Sequence, residues 1–285
     1  MSRFALSTLL LLALAASVAP HAHAVDLPTI DQVFTATTHP MKYAIALPRN
    51  WSPERIWPVI IAPNAHYGGR KQTIQMLEPL SEARKAGFII VSPVVINADP
   101  VAQMAEYRGA VAEQIHKADE ALGQGRRDDD NRANFDSAGI RAIIQDVQRL
   151  YHGEDRVYIT GFSSSTHIVY LFLFTHPELL KGAVINSGVY RGRGVDENQL
   201  PFLKAPERAR VAIKFIVGES DGGFKVYTEN WAATKALLIQ SGHQASKIEE
   251  EIIHKGNAED LGAGHQWFPT RIMDFFTGVE KAGEK

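Results

Sequence analysis

The sequence contains no cysteine. This absence excludes a thiol nucleophile, a metal site with thiolate ligands and any disulfide bond. A chain of 285 residues can bury a core large enough to fold stably without disulfides. The sequence contains no internal repeat and no long low-complexity tract. The composition therefore predicts an ordinary globular protein.

The sequence also has no large excess of positive or of negative residues. The 30 Lys and Arg residues nearly balance the 32 Asp and Glu residues, which leaves a net charge of −2 at pH 7. A chain with this balance has no basic field to attract the phosphates of nucleic acid or an anionic lipid surface. We therefore expect no nucleic-acid partner, and no membrane association once the leader described next is removed.

Long hydrophobic runs are scarce, and the most apolar stretch near the N-terminus covers only residues 9–18. Ser2-Arg3 precedes it and Ala22-His23-Ala24 follows it. A basic start, a short apolar segment and an A-x-A site are typical of a secretory signal peptide, and the run is too short for a membrane anchor. We predict that residues 1–24 are a signal peptide and that residues 25–285 form one exported domain, periplasmic or fully secreted.

Apolar runs and helical stripes alternate along the rest of the chain. The predicted helices cover residues 71–86, 134–151, 168–174, 226–241 and 268–276. The predicted strands cover residues 33–38, 43–47, 56–62, 88–91, 156–160, 183–186, 211–217 and 248–253. This alternation after an opening hairpin predicts an α/β fold, with one predominantly parallel eight-stranded sheet and helices on both faces.

One stretch, residues 98–133, does not fit the alternation. Its first part has apolar residues near helical spacing, and residues 123–130 are glycine-punctuated and charged. We interpret it as a helical and charged excursion over the strand ends, with a solvated charged loop, rather than as a second domain. An acidic metal site is a weaker alternative.

The stretch around Ser163 is the strongest candidate for chemistry. The strand at 156–160 ends at Gly161, and a helix follows, so Ser163 lies at a strand–turn–helix junction of the G-x-S-x-G kind. Such a turn needs small residues two positions before and after the serine; Gly161 satisfies this, and Ser165 replaces the usual glycine. The alternative, given equal weight from this stretch alone, is that the serines only cap the helix.

A serine nucleophile needs a base, and the base needs an orienting acid. Asp221 lies in a glycine-rich loop directly after the strand at 211–217, with Glu219 as its competitor. His265 lies between glycine and an aromatic segment after the last strand. Loops after parallel strands meet at one edge of the sheet. The alternatives are that Asp221 is a surface acid that caps a helix and that His265 is a loop histidine with no catalytic role. The histidines show no metal-ligand spacing.

An oxyanion hole needs two donors. The backbone N–H of Ser164, directly after the nucleophile, is one candidate. The loop after the strand at 56–62 should supply the other, and Tyr67, followed by Gly68 and Gly69, is the candidate there. An ordinary glycine turn is the alternative for this loop.

With these residues in place, the sequence resembles the α/β-hydrolase superfamily over about residues 43–276. It resembles the esterase branch that includes polyhydroxybutyrate depolymerases, feruloyl esterases and prolyl-oligopeptidase-like domains. The most specific part of the likeness is residues 155–163 together with the helix before them. The resemblance implies that Ser163, Asp221 and His265 are nucleophile, acid and base, with no cofactor and no metal.

Two departures from the family pattern are visible. Ser165-Thr166 stands where Gly-Gly is frequent, and His66-Tyr67 stands where His-Gly is frequent. In prolyl-oligopeptidase-like enzymes a loop tyrosine can donate its hydroxyl to the oxyanion. Tyr67 is therefore predicted to donate either its hydroxyl or only its backbone N–H.

The resulting prediction is an exported serine hydrolase that cleaves small-molecule or polymeric carboxylic esters through an acyl-enzyme. A prolyl-oligopeptidase-like peptidase is the alternative among enzymes, although residues 25–285 leave little room for the large extra domain that many such peptidases carry. A catalytically silent hydrolase fold that binds a ligand is the alternative from another class, and Ser165 is the feature that supports it.

Overall fold

The computed structural model describes residues 28–64, 69–96, 126–198, 206–256 and 262–283. Within these residues the chain forms eight strands and five α-helices. The strands are β1 Phe34–Thr35, β2 Lys42–Ala46, β3 Val59–Ile61, β4 Ile89–Pro93, β5 Val157–Phe162, β6 Leu180–Asn186, β7 Ala212–Gly218 and β8 Ile248–Ile253. The helices are α1 Gly69–Ala83, α2 Arg126–Tyr151, α3 Thr166–Thr175, α4 Phe224–Gln240 and α5 Pro269–Gly283.

All eight strands belong to one sheet, in the order β1-β2-β4-β3-β5-β6-β7-β8. β1 pairs antiparallel with β2, and β2 pairs antiparallel with β4. Every pairing from β4 to β8 is parallel. The predicted single, predominantly parallel eight-stranded sheet is confirmed.

The helices cover both faces of the sheet. Side chains of α2, α3 and α4 belong to one hydrophobic cluster, and side chains of α1 and α5 belong to a second. β5 shows why the strand sequences are continuously apolar: Val157 and Ile159 pack into the first cluster, and Tyr158 packs into the second. A strand buried on both faces needs apolar residues at odd and even positions alike.

The structure corrects several of the predicted element bounds. β6 begins at Leu180, not at residue 183, and α5 extends to Gly283, not to residue 276. α2 begins at Arg126, not at residue 134, so residues 126–133 of the predicted excursion are helical. β1 has two residues, and β3 begins at Val59, which leaves Ile56 67% exposed. The charged start of α2 has no apolar stripe, so hydrophobic periodicity could not locate it. The rest of the excursion and residues 1–24 lie outside the described residues.

The topology brings three strand ends to one edge of the sheet. β5, β7 and β8 are parallel to their neighbours, so the turns that follow them all lie at the carboxyl edge. α3 follows β5 and is buried along its length except for its last residue. Among the described helices, none combines the length and the hydropathy needed to cross a membrane.

Candidate active site

The turn between β5 and α3 holds Ser163 in a strained conformation. Its φ is 53°, in the left-handed region that residues with a Cβ rarely adopt. Ser163 opens a short 3₁₀ turn through Ser165, and α3 begins at Thr166. This is the strand–turn–helix geometry that raises a serine hydroxyl above the sheet edge.

Gly161 permits the sharpness of this turn. A Cβ at position 161 would lie 2.7 Å from the carbonyl oxygen of Ser165 and 2.9 Å from the nitrogen of Thr166. Both are backbone atoms and cannot move aside without opening the turn. The glycine two residues before the serine is therefore required by the close approach of helix to strand.

Ser165 and Thr166, which together make up the first departure from the family pattern, are integrated into the turn. The Ser165 hydroxyl is buried, accepts a hydrogen bond from the Phe162 N–H at 2.9 Å and donates one to the Phe162 carbonyl at 2.9 Å. The Thr166 hydroxyl donates to the Ser163 carbonyl at 2.6 Å. Gly188 makes room for it, since a Cβ there would lie 2.0 Å from Thr166 Oγ1.

We expect Ser165→Ala to lower the free energy of unfolding by about 1–3 kcal/mol, because two buried backbone groups of Phe162 lose a partner. Urea denaturation followed by circular dichroism measures this change. Ser246→Ala, at an exposed serine in the turn before β8, is the matched control and should change stability by less than about 0.5 kcal/mol. Equal stabilities of the two variants would contradict the structural role of Ser165.

The structure brings Ser163, His265 and Asp221 together as a chain of hydrogen bonds. His265 Nε2 lies 3.0 Å from Ser163 Oγ, and His265 Nδ1 lies 2.8 Å from Asp221 Oδ2. Because an ionised carboxylate only accepts, Nδ1 carries the proton and Nε2 is left to accept from the serine hydroxyl. The arrangement can withdraw a proton from Ser163 and stabilise the imidazolium that forms.

Asp221 is held for this contact by its own loop. Its side chain is 2% exposed, and its second oxygen, Oδ1, accepts a hydrogen bond from the Gly223 N–H at 2.9 Å. The carboxylate therefore has partners on both oxygens, which fixes its orientation toward His265.

Glu219, the competing acid, is engaged elsewhere. Its carboxylate accepts from the Lys255 N–H at 2.6 Å and lies 2.6 Å from His254 Nδ1. The backbone N–H of Lys255, and then the His254 imidazole, lower the pKa of Glu219. The structure thus places Asp221, and not Glu219, against His265.

The loop that carries His265 is tied to the sheet edge at two points. The Ser220 N–H donates to the Ala263 carbonyl at 2.7 Å, and Gly218 allows that approach because a Cβ there would lie 2.1 Å from the same oxygen. On the other side, fully buried Asn186 donates to the Gln266 carbonyl at 3.2 Å and accepts from the Phe268 N–H at 3.0 Å. Asn186 is not among the site residues predicted from the sequence, although an asparagine that closes an apolar strand is an available signal.

Two aromatic rings flank the imidazole. The Phe162 ring lies 4.7 Å from the His265 ring between centroids, and the Tyr227 ring is nearly parallel to it at 5.9 Å. These contacts restrict the ring rotation that would break the hydrogen bonds to Ser163 and Asp221.

The predicted oxyanion donors are only partly described. Ser164 directly follows Ser163 in the turn, and both residues line a cavity of about 270 Å³. Tyr67 lies outside the described residues. In the parts of the chain that the structure describes, no group of three or more histidine, aspartate or glutamate side chains is placed to bind a metal ion.

No family model matches the chain, and no curated protein matches it. Solved structures do match it, among them a thermostable esterase with a TM-score of 0.51 and 15% identity, over 90% of this chain and 62% of the esterase. A Bacillus cereus carboxylesterase matches with a TM-score of 0.52 and 15% identity, over 85% of this chain and 94% of the carboxylesterase.

A putative dipeptidyl aminopeptidase IV from Bacteroides ovatus ATCC 8483 also matches, with a TM-score of 0.52 and 15% identity, over 90% of this chain. The chain spans only 35% of that protein and 62% of the thermostable esterase. At these identities the likeness concerns the fold. Together with the strand order, it confirms the predicted α/β-hydrolase fold.

Proposed function

We propose that the chain is a serine hydrolase that cleaves carboxylic esters through an acyl-enzyme, in the esterase branch that its sequence resembles. The observation that carries this proposal is the hydrogen-bonded chain from Ser163 through His265 to Asp221, built on a strained turn after β5. Nucleophile, base and orienting acid at these distances are the arrangement that serine acyl transfer requires.

In the proposed reaction, Ser163 Oγ attacks the ester carbonyl carbon while His265 Nε2 accepts the hydroxyl proton. The tetrahedral intermediate collapses, the bond to the alcohol oxygen breaks, and His265 returns its proton to the leaving alcohol. Water then attacks the acyl-enzyme with His265 as base, which releases the acid and restores Ser163. The carboxylate of Asp221 holds the tautomer and stabilises the imidazolium in both halves.

The negative charge that develops on the carbonyl oxygen needs donors. We assign the Ser164 backbone N–H to one of them and Tyr67 to the other, through either its hydroxyl or its backbone N–H. Tyr67→Phe distinguishes the two, because only a hydroxyl donor makes that variant lose about a hundredfold in kcat with little change in KM.

The two alternatives have weaker support. The solved structures of similar fold include a dipeptidyl aminopeptidase as well as esterases, so the fold alone does not select the scissile bond. A silent hydrolase fold was suggested by Ser165, but the hydroxyl of Ser165 fits the turn and leaves Ser163 at hydrogen-bond distance from His265.

Hydrolysis of p-nitrophenyl butyrate tests the proposal. We expect turnover that a fluorophosphonate abolishes, with the adduct found by peptide mass spectrometry on Ser163. Cleavage of dipeptidyl p-nitroanilides without ester hydrolysis would favour the peptidase, and absence of both activities and of labelling would favour the silent fold.

We also propose that the protein is exported to the periplasm or beyond and that it needs no cofactor. The basis for export is the basic, apolar and A-x-A pattern of residues 1–24. The intact mass of the exported protein should correspond to a chain that begins at Val25. Recovery of the uncut chain from the membrane would contradict this.

A further inference from the structure

Two arginines line the cavity beside Ser163. Its volume is about 270 Å³, and Ser163, Ser164, His167, Arg191, Arg193 and Tyr227 are among the side chains that line it. Its described lining includes two arginines and no aspartate or glutamate. A chain with a net charge of −2 thus concentrates two guanidinium groups beside its proposed nucleophile.

The loop that carries the arginines is fastened to α4. The side chain of Asn230 accepts from the Tyr190 N–H at 2.7 Å and donates to the Tyr190 carbonyl at 3.1 Å. The hydroxyl of Thr234, one turn further along α4, donates to the Asn230 carbonyl at 2.8 Å. Both backbone polar groups of Tyr190 are thus bound by α4, which holds the residue directly before Arg191 in place beside the cavity.

His167 lies in the first turn of α3 and lines the same cavity. Its ring is buried and makes no hydrogen bond to any described residue. Burial, and then the charges of Arg193 and Arg191, lower the pKa of His167 to about 3. The imidazole is therefore neutral at neutral pH, and the same field that disfavours its positive form favours a negative group in the cavity.

Arg191 is available for such a group. Its side chain is exposed, and it forms no ion pair with any described carboxylate. A guanidinium presents paired N–H donors that match the two oxygens of a carboxylate, and such charge-assisted hydrogen bonds are about twice as strong as neutral ones.

We propose that the cavity lined by Arg191 and Arg193 binds a carboxylate of the substrate, so that the preferred substrates are esters that carry a second, negatively charged carboxylate group. This inference rests on the proposed ester hydrolysis and names its substrate class. The carboxylate can belong to the acyl half or to the alcohol half of the ester, because the cavity adjoins Ser163 itself.

Matched charged and neutral esters test the proposal. For the acyl half, mono-p-nitrophenyl glutarate is compared with p-nitrophenyl glutaramate, which replaces the carboxylate with an amide of the same shape. For the alcohol half, 4-carboxyphenyl pentanoate is compared with 4-carbamoylphenyl pentanoate. The measured quantity is the charged-to-neutral ratio of kcat/KM within each pair, for the wild type, Arg191→Gln, Arg193→Gln and the double variant.

We expect Arg191→Gln to lower the ratio about tenfold and the double variant to lower it about tenfold to a hundredfold, in at least one pair. The pair that responds identifies the half of the ester that carries the carboxylate. Arg141→Gln, on the exposed side of α2, removes the same charge away from the cavity and should keep both ratios. Added salt should reduce the ratio of the wild type and leave that of the double variant unchanged.

Ratios that stay the same in all arginine variants, with all four esters hydrolysed, would overturn the carboxylate site and leave the ester hydrolase standing. If the wild type hydrolyses p-nitrophenyl butyrate but none of the four esters, the carboxylate site is also overturned and the ester hydrolase stands. If it hydrolyses neither the butyrate nor the four esters, the proposed function fails and the inference fails with it.

Discussion

Replacing Ser163 with alanine is expected to lower kcat for p-nitrophenyl butyrate by about 10⁴-fold or more, because the acyl-enzyme can no longer form. KM should change little, since the missing hydroxyl acts on the reacting carbon rather than on substrate binding. The variant should keep its fold, because the Ser163 side chain contacts His265 at the open edge of the sheet and the Ser165 hydroxyl continues to hold the turn. Steady-state kinetics of the two proteins at the same total protein concentration measure the effect, and only the wild type should react with the phosphonate.

The control for this substitution is Ser246→Ala, which removes an equally small hydroxyl from an exposed turn far along the chain and should keep wild-type kcat. A phosphonate adduct on Ser164 or Ser165 would show that the nucleophile is misassigned by one or two residues. A Ser163→Ala variant that keeps wild-type kcat would contradict the acyl-enzyme mechanism.

Much of the fold could be predicted from the sequence because its strongest patterns are tied to burial. β5 is enclosed on both faces, so Val157, Tyr158 and Ile159 all had to be apolar, and the run was easy to identify. Gly161 predicts the sharp turn just as directly, because the backbone of Ser165 leaves no room for a side chain at position 161. A structural role can be predicted from the sequence at positions where packing permits only one type of residue.

The remaining features depend on contacts between distant parts of the chain. Asn186 stands out as a polar residue that closes an apolar strand, but its hydrogen bonds to Gln266 and Phe268 span about eighty positions, so no local pattern identifies those partners. The same holds for Ser165, whose presence in place of glycine is explained only by the two hydrogen bonds to Phe162. The polar start of α2 lacked a stripe, so the helix was predicted eight residues too short.

For the acid that contacts His265, the local sequence and the structure both favour Asp221. In the sequence, Asp221 lies deeper in the loop than Glu219 and is followed by two glycines that let the backbone bend, which favours Asp221 as the acid. In the structure, Asp221 points at His265 and uses the N–H of Gly223 to fix its other oxygen. The sequence offered no sign that Glu219 would be engaged by His254 and Lys255 at the end of β8.

Replacing Asp221 with asparagine is expected to lower kcat by about 10⁴-fold, because an amide N–H in place of a carboxylate oxygen favours the wrong imidazole tautomer. Nδ1 would then accept from the amide, and Nε2 would carry the proton and could not take one from Ser163. The same change removes the negative charge that stabilises the imidazolium. Steady-state kinetics on p-nitrophenyl butyrate measure the loss, and phosphonate labelling of Ser163 should slow in parallel.

Glu219→Gln is the matched control, since it makes the same carboxylate-to-amide change two residues earlier in the same loop. Its partners, His254 and the backbone N–H of Lys255, lie away from Ser163, and the interaction is exposed to solvent. We therefore expect kcat within a fewfold of wild type, and only a small change in stability because an exposed ion pair contributes little to it. If Glu219→Gln instead disables the enzyme while Asp221→Asn remains active, the acid that orients His265 is Glu219 and the geometry at the end of β7 differs in solution.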